Sequence, residues 1–355
     1  ASGFIESTLA QIYKVKKPGG GFMGGPAYYI KNALGSPFWA GVFAVLISVT
    51  YALIFNSVQA NTISLSIETT TGLKPAYTGL ILAIVTGLVI FGGMTRIAKV
   101  ASFMVPFMAG AYLLLAFVVT CMNITEVPRV LLMIVTKAFS FDSITGAAIG
   151  VALMTGIKRG LFSNEAGMGS TPHAHAQAKV KCPHEQGVVA MIGVFIDTFV
   201  VLTMTALVVI STLYTGDGIL SGVMTSSENL DALGVAKTNL AQLAFGSVFG
   251  ESFGSAFVAI CLLFFAFTTI IGWNLFGRIN IEYLFGKKAV LPYSIIAIAF
   301  IFLGSLLSND LVWELTDMFN QLMVIPNVIA LLALGGLVAA SAKAGNSETL
   351  ENVKK

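Results

Sequence analysis

Residues 143–181 read SITGAAIGVALMTGIKRGLFSNEAGMGSTPHAHAQAKVK. The run is apolar enough for a membrane span, yet it carries Lys158, Arg159 and Glu165, glycines at 156, 160, 167 and 169, and Pro172. Each interior Gly costs a helix about 1 kcal/mol relative to Ala, so this spacing predicts an interrupted helix. An interruption at membrane depth frees backbone N–H and C=O groups, which is tolerated only where they are buried in protein or line a water-filled cavity. A half-helix N-terminus offers donors and a positive dipole end to a carboxylate; a half-helix C-terminus and unwound carbonyls suit an ammonium group or Na⁺. Phe162-Ser163-Asn164-Glu165 also reads as a helix start, a Ser or Asn cap followed by an acid in the first turn. A kinked packing helix is the plainer alternative. It leaves the Lys-Arg pair and the Glu unexplained, because charges inside a span are costly and mark function.

Outward from this run, the chain is 56% hydrophobic and 10% charged over 355 residues, where soluble domains carry about 25% charge. A span needs about 20 apolar residues. Seven stretches of comparable length hold no Asp, Glu, Lys or Arg: 32–67, 75–95, 100–125, 198–216, 252–277, 289–309 and 318–342. Apolar runs such as Gly79 to Ile90 lack the alternation of a barrel strand, so the fold class is all-α and polytopic. Residues 3–13 read as the last turns of a further helix, and the chain is expected to begin partway through the natural protein. The outer loop from Tyr214 to Glu251 is expected to carry one surface helix near Asn239 to Phe245. Residues 1–340 form one transmembrane domain in this reading, and 341–355 a polar tail.

Lys and Arg concentrate in alternate connections. If the first remnant ends inside, the inner segments hold Lys14, Lys16, Lys17, Lys31, Arg96, Lys99, Lys179, Lys181, Arg278, Lys287, Lys288, Lys343, Lys354 and Lys355; the outer ones hold Lys74, Arg129, Lys137 and Lys237. The positive-inside rule then places the C-terminus in the cytoplasm and the protein in a cell (plasma or inner) membrane. A net charge of +3 offers no basic patch for nucleic acid. Cys121, Cys182 and Cys261 lie far apart and read as packing residues.

The run from Gly156 to Ala176, GIKRGLFSNEAGMGSTPHAHA, resembles the signature of the sodium:alanine symporter family. Further matches are Gly24-Gly-Pro-Ala-Tyr-Tyr-Ile30, Val194-Phe-Ile-Asp-Thr198, and Thr268-Thr-Ile-Ile-Gly-Trp-Asn-Leu-Phe-Gly277 followed by Glu282-Tyr-Leu-Phe-Gly286. The resemblance implies a leucine-transporter-like fold, two inverted five-helix repeats with a broken sixth helix at 143–180 and an extra terminal helix. It also implies two helices before Tyr13, of which this chain holds the end of the second. The first of them would supply substrate and sodium ligands.

The resemblance implies import of a small neutral amino acid, alanine or glycine, with Na⁺ by alternating access. No organic cofactor, no other metal and no covalent chemistry are implied, and a monomer is the expected functional unit in the bilayer. The zwitterion is expected at unwound backbone from Thr155 to Asn164, including Gly156, Gly160 and Ser163, with Phe162 and Trp273 crowding its side chain. Thr268 and Thr269 would offer hydroxyl oxygens to Na⁺; the plainer reading is hydroxyls bonded back to the carbonyl four residues earlier. Asn56 and Gln59 share a helical face and could line a polar cavity or bond between helices, while Asn61 points elsewhere. Asp197, at mid-span, reads equally as a coupling residue or a structural carboxyl.

Rival readings use the same residues. Asp197 or Glu165 could carry a proton in place of Na⁺. An ion channel suits a broken helix less well than an occluded site does. His173 and His175 point to nearly opposite helix faces and cannot chelate one ion there. Ser163, His173 and Asp197 lack any nucleophile elbow for a hydrolase.

Overall fold

The structure, a computed structural model, describes residues 1–17, 20–138, 148–221, 233, 235 and 238–344. The charge-free windows are helices. In chain order these are α1 (Ser2–Ile12), α2 (Pro26–Ala33), α3 (Pro37–Thr71), α4 (Pro75–Ile90), α5 (Gly93–Met122), α6 (Val127–Ala138) and α7 (Ala148–Asn164). They continue as α8 (Pro183–Leu213), α9 (Leu240–Phe249), α10 (Glu251–Phe285), α11 (Lys287–Ser305) and α12 (Asn309–Ala344). Six helices are long and apolar enough to cross a membrane; the window 75–95 became α4, a shorter apolar helix of 16 residues. Residues 2–12 form the expected helix. The chain is therefore an all-α polytopic membrane protein, apart from a hairpin that pairs Val15 with Met23 and Lys16 with Phe22.

Local chemistry starts and stops these helices. Proline opens α2, α3, α4 and α8, where its missing N–H is not needed. The Ser36 hydroxyl accepts the Trp39 N–H, and Gly72 closes α3 at φ 72°. Two helices are wound more loosely at one place, as π-helix over Thr50–Phe55 in α3 and over Ile196–Leu202 in α8. Both turns lie beside the broken span. α12 extends past residue 340 to Ala344, and 345–355 lie outside the described residues.

Among the described residues four apolar clusters hold the helices together, the smallest gathering Ala52, Tyr293 and Ala297. The first gathers Leu9, Tyr29, Phe43, Ile47, Tyr51, Phe55, Met168, Trp273, Met323 and Leu334 around the broken span. The second joins α3, α4, α5, α10 and α11, and the third joins α5, α8, α9 and α10. The helix expected on the surface of the outer loop, α9, instead buries Ala244 and Phe245 in that third cluster, and its Gln242 beside them donates to α3 and α10. Its close seat comes from two glycines, since a Cβ on Gly254 would lie 2.2 Å from the Gly246 nitrogen.

α3 and α11 touch in the same way. A Cβ on Gly304 would lie 2.3 Å from Ser57 Cα. Beside that contact Asn61 donates to the carbonyls of Gly304 (3.3 Å) and Leu307 (2.7 Å), satisfying backbone acceptors at the end of α11. Gly304→Ala is expected to lower the thermal midpoint in detergent, with an overpacking cost of about 1–3 kcal/mol that exceeds Ala's helix advantage. Gly335→Ala, where a Cβ meets nothing within 4 Å, should be neutral or stabilising by up to about 1 kcal/mol.

Candidate functional site

α7 is helical from Ala148 through Asn164, so Thr155–Asn164 do not unwind. Gly156 and Gly160 sit in regular helix, and a Cβ on either meets nothing within 4 Å. The interruption comes later. Glu165 takes φ 54°, Gly167 φ 98° and Gly169 φ 87°, and the chain regains one helical turn at Pro172–His175. The expected helix start at Phe162–Glu165 is in fact a helix end: the Asn164 side-chain oxygen accepts the Ala166 N–H (3.0 Å), as Asn does in turns. A lone Gly costs a helix too little to break it, whereas alternate residues at positive φ cannot be helical.

The amides freed by this break find a carboxylate. Glu6 of α1, fully buried, accepts the Gly167 N–H (2.9 Å) and the Gly169 N–H (2.8 Å). Asn327 of α12 donates to the same carboxylate (2.6 Å) and to the Gly167 carbonyl (2.9 Å), and it accepts the Tyr29 hydroxyl of α2. Pro326 precedes it and lacks an N–H, which removes one rung from α12 at this level. A buried donor left unmade costs about 1–3 kcal/mol, so this network stabilises a conformation the loop could not hold by itself.

Glu165 faces a second set of partners. Its carboxylate accepts the Trp273 indole N–H (2.5 Å), the Tyr51 hydroxyl (3.3 Å) and the Ser170 hydroxyl. Tyr51 comes from the π turn of α3 and meets Trp273 edge-on at 5.5 Å. Phe162 stands against Phe55 (5.2 Å), Trp273 (6.0 Å) and Trp313 (5.4 Å), forming an aromatic wall next to the carboxylate. Among the described residues no ion pair involves Glu6 or Glu165. The end of α7 is thus acidic twice over, by these carboxylates and by the negative end of its dipole.

The π turn of α8 supplies the third side. Ser163 donates to both oxygens of Asp197 (3.0 and 2.9 Å), and Asn164 donates to Thr198 (3.2 Å). Arg159 bonds to Asp317 of α12 and lies over the Trp313 ring at 4.5 Å, with Lys158 3.8 Å from the same carboxylate. Those two cations, costly in a span, are thereby paired.

Phe162, Ser163, Asn164 and Glu165 are consecutive, and the fold brings Trp273 to Phe162 and Glu165, and Asp197 to Ser163. Thr155 and Gly156 lie exposed on α7. Thr268 and Thr269 donate back to the Phe264 and Phe265 carbonyls, the plainer of the two geometries, which leaves their oxygens' lone pairs unspent. Asn56 is fully buried and bonds back to Ala52 (3.2 Å), and Gln59 is half-buried on the same helix. His173 accepts the Asn280 amide at Nε2 and faces the Ser170 carbonyl at Nδ1, while His175 bonds to Gln186. The imidazoles therefore serve separate networks. Sequence reasoning missed Glu6, Tyr29, Tyr51 and Asn327. Glu6 and Asn327 lie in helices with several other polar residues, so neither stood out, and of the tyrosines only Tyr29 fell within a family match.

The profile of the sodium:alanine symporter family matches residues 1–354. Among curated relatives, the probable sodium/glutamine symporter GlnT of Bacillus subtilis is 44% identical over 344 residues, 97% of this chain and 68% of that protein. The amino-acid carrier protein AlsT of the same organism is 39% identical over 95% of this chain and 69% of its own length. The sodium/alanine symporter AgcS of Methanococcus maripaludis is 37% identical over 98% of this chain and 74% of its own.

The glycines of the broken span should separate on substitution. At Gly169 a Cβ would lie 2.7 Å from the Phe43 ring, at positive φ. Gly169→Ala should therefore cost more than the roughly 1–2 kcal/mol of left-handed backbone strain. Gly156→Ala should be neutral or stabilising by up to about 1 kcal/mol. Thermal unfolding in detergent measures both.

Proposed function

The chain belongs to the sodium:alanine symporter family, and from that premise we propose that it imports a small neutral amino acid, alanine or glycine, together with Na⁺ by alternating access across the cell membrane. It is a transporter and not an enzyme. The observation that carries the reading is the break at Glu165–Ser170, enclosed by α1, α3, α10 and α12 and walled by Phe162, Trp273 and Tyr51. Its chemistry suits the ammonium end of a zwitterion: carbonyls at the end of α7 and the Glu165 carboxylate attract a cation. The Gly167 and Gly169 amides are held by Glu6 and are not the donors for the substrate's carboxylate.

Thr268 and Thr269 precede Trp273 by about one turn of α10. A hydroxyl that gives its proton to a carbonyl turns its lone pairs outward, which suits a hard monovalent cation. Na⁺ is thus assigned to these oxygens, and Asp197, bonded to Ser163, links α8 to the end of α7 and through it to the site. No organic cofactor enters the cycle. Proton coupling through Glu165 or Asp197 is the alternative to Na⁺, and the name of the GlnT relative makes glutamine the alternative substrate.

Proteoliposomes containing the full-length protein should accumulate labelled alanine when an inward Na⁺ gradient is imposed and should keep doing so after the proton gradient is collapsed. Glycine should compete; glutamine, leucine and phenylalanine should not, because extra methylenes overpack a closed aromatic pocket at about 1–3 kcal/mol. Uptake driven equally by a pH gradient without Na⁺ would exclude Na⁺ coupling, and competition by glutamine at alanine's concentration would transfer the assignment to the larger substrate.

Thr268→Val with Thr269→Val keeps shape and removes both hydroxyls. The Na⁺ concentration for half-maximal uptake should rise about tenfold or more, the scale of a lost charged contact, with little change in protein yield. Unchanged Na⁺ dependence would return these hydroxyls to helix back-bonding.

A further inference from the structure

We infer that Glu6 is a positioning residue for the substrate site: held from α1, its carboxylate sets the conformation of residues 165–171 and, through them, the place of the Glu165 carboxylate. The inference rests on the reading of the break as that site. Glu6 lies outside every motif read as functional in the sequence, yet both of its oxygens are engaged. Oε2 accepts the Gly167 N–H, and Oε1 accepts the Gly169 N–H and the Asn327 amide. Its role is that of an acceptor, since no ion pair among the described residues involves it.

The loop does not hold itself. Gly167 and Gly169 adopt positive φ freely, but Glu165 at φ 54° is strained, and such a conformation persists only where the surroundings over-determine it. Within the loop, the Met168 N–H reaches the Glu165 carbonyl at 3.2 Å, while the two glycine amides between Glu165 and Ser170 depend on Glu6. Ser170 closes the loop by donating to Glu165, whose remaining partners, Trp273 and Tyr51, stand on α10 and α3. A change at Glu6 therefore reaches the Glu165 carboxylate through one or two residues of chain. Three N–H donors converge on Glu6, and an ionised carboxylate accepts at both oxygens whereas an amide accepts at one. Glu6→Gln would turn an NH₂ group toward at least one of those donors without changing the side chain's size.

The test uses the full-length protein with Glu6→Gln, with Glu6→Asp, and with Glu6→Gln combined with Asn327→Asp, which restores one acid and one amide to the pair. Expected for Glu6→Gln is a rise in apparent KM for alanine of about tenfold or more, the scale of one charge-assisted hydrogen bond, with little change in maximal rate. Amide hydrogen exchange should accelerate in the peptide covering 165–171 and stay unchanged in α11. The double substitution keeps one acid in the pair but should stay impaired, because one glycine amide still faces the Gln NH₂ group and the Gly167 carbonyl loses its Asn327 donor; Glu6→Asp, one methylene short of spanning both amides, should fall between wild type and Glu6→Gln. An unchanged KM beside faster exchange would overturn the positioning role, as would unchanged exchange. If Glu6→Gln yields no folded protein, the same readouts on Glu6→Asp decide. Wild-type protein without Na⁺-driven alanine uptake would refute the transport reading, and hydrogen exchange in the variants would still report on the clamp.

Discussion

A buried backbone that leaves its helix must find hydrogen-bond partners within the protein, and here a buried carboxylate from a different helix meets that demand. The Gly167 and Gly169 amides have no helical acceptor and no water-rich loop to turn toward. Glu6 takes both, Asn327 ties the carboxylate to α12, and Tyr29 ties Asn327 to α2. The consequence is electrostatic as well as structural. Filling the amide donors with the protein's own anion leaves the end of α7 with carbonyls and Glu165, an environment that favours a positive group.

The two π turns extend the same logic to the neighbouring helices. Each places side chains against the broken span: Tyr51 and Phe55 from α3, and Asp197 and Thr198 from α8. Such bulges are uncommon and recur at functional sites, because one extra residue in a turn re-aims its side chains. The aromatic wall of Phe55, Phe162, Trp273 and Trp313 joins helices distant in sequence, and Arg159, stacked on Trp313 and bonded to Asp317, clamps α7 to α12 beside it. Of the charges that made residues 143–181 look unlike a packing helix, Lys158 and Arg159 are paired with Asp317 of α12, while Glu165 is held by hydrogen bonds.

Much of this organisation was legible in the chain. Charge-free windows located the spans, since the cost of burying charge in hydrocarbon acts on every residue locally. The glycine-rich run marked the helix that breaks, and hydrogen bonds and ring contacts bring Phe162, Glu165 and Trp273 together and join Ser163 to Asp197. The position of the break was misread by about ten residues. All four glycines look alike in sequence, but Gly156 and Gly160 face open space in regular helix while Gly167 and Gly169 adopt positive φ against Glu6. The helix-start reading of Ser163–Glu165 failed for a related reason, because Asn serves at either end of a helix and only the next residues' dihedrals tell which.

Composition, apolar windows and the motif from Gly156 to Ala176 by themselves determined an all-α polytopic membrane protein with an amino-acid symporter's pattern, because hydrophobicity and backbone propensity are properties of short stretches. Tertiary structure decided which glycines unwind, that Glu6 and Asn327 hold them, and that Tyr51 and Trp273 share Glu165. Those residues lie from about 100 to more than 300 positions apart along the chain. A hydrogen bond is satisfied by whichever donor or acceptor the fold brings within about 3 Å, and that proximity is written in no local stretch.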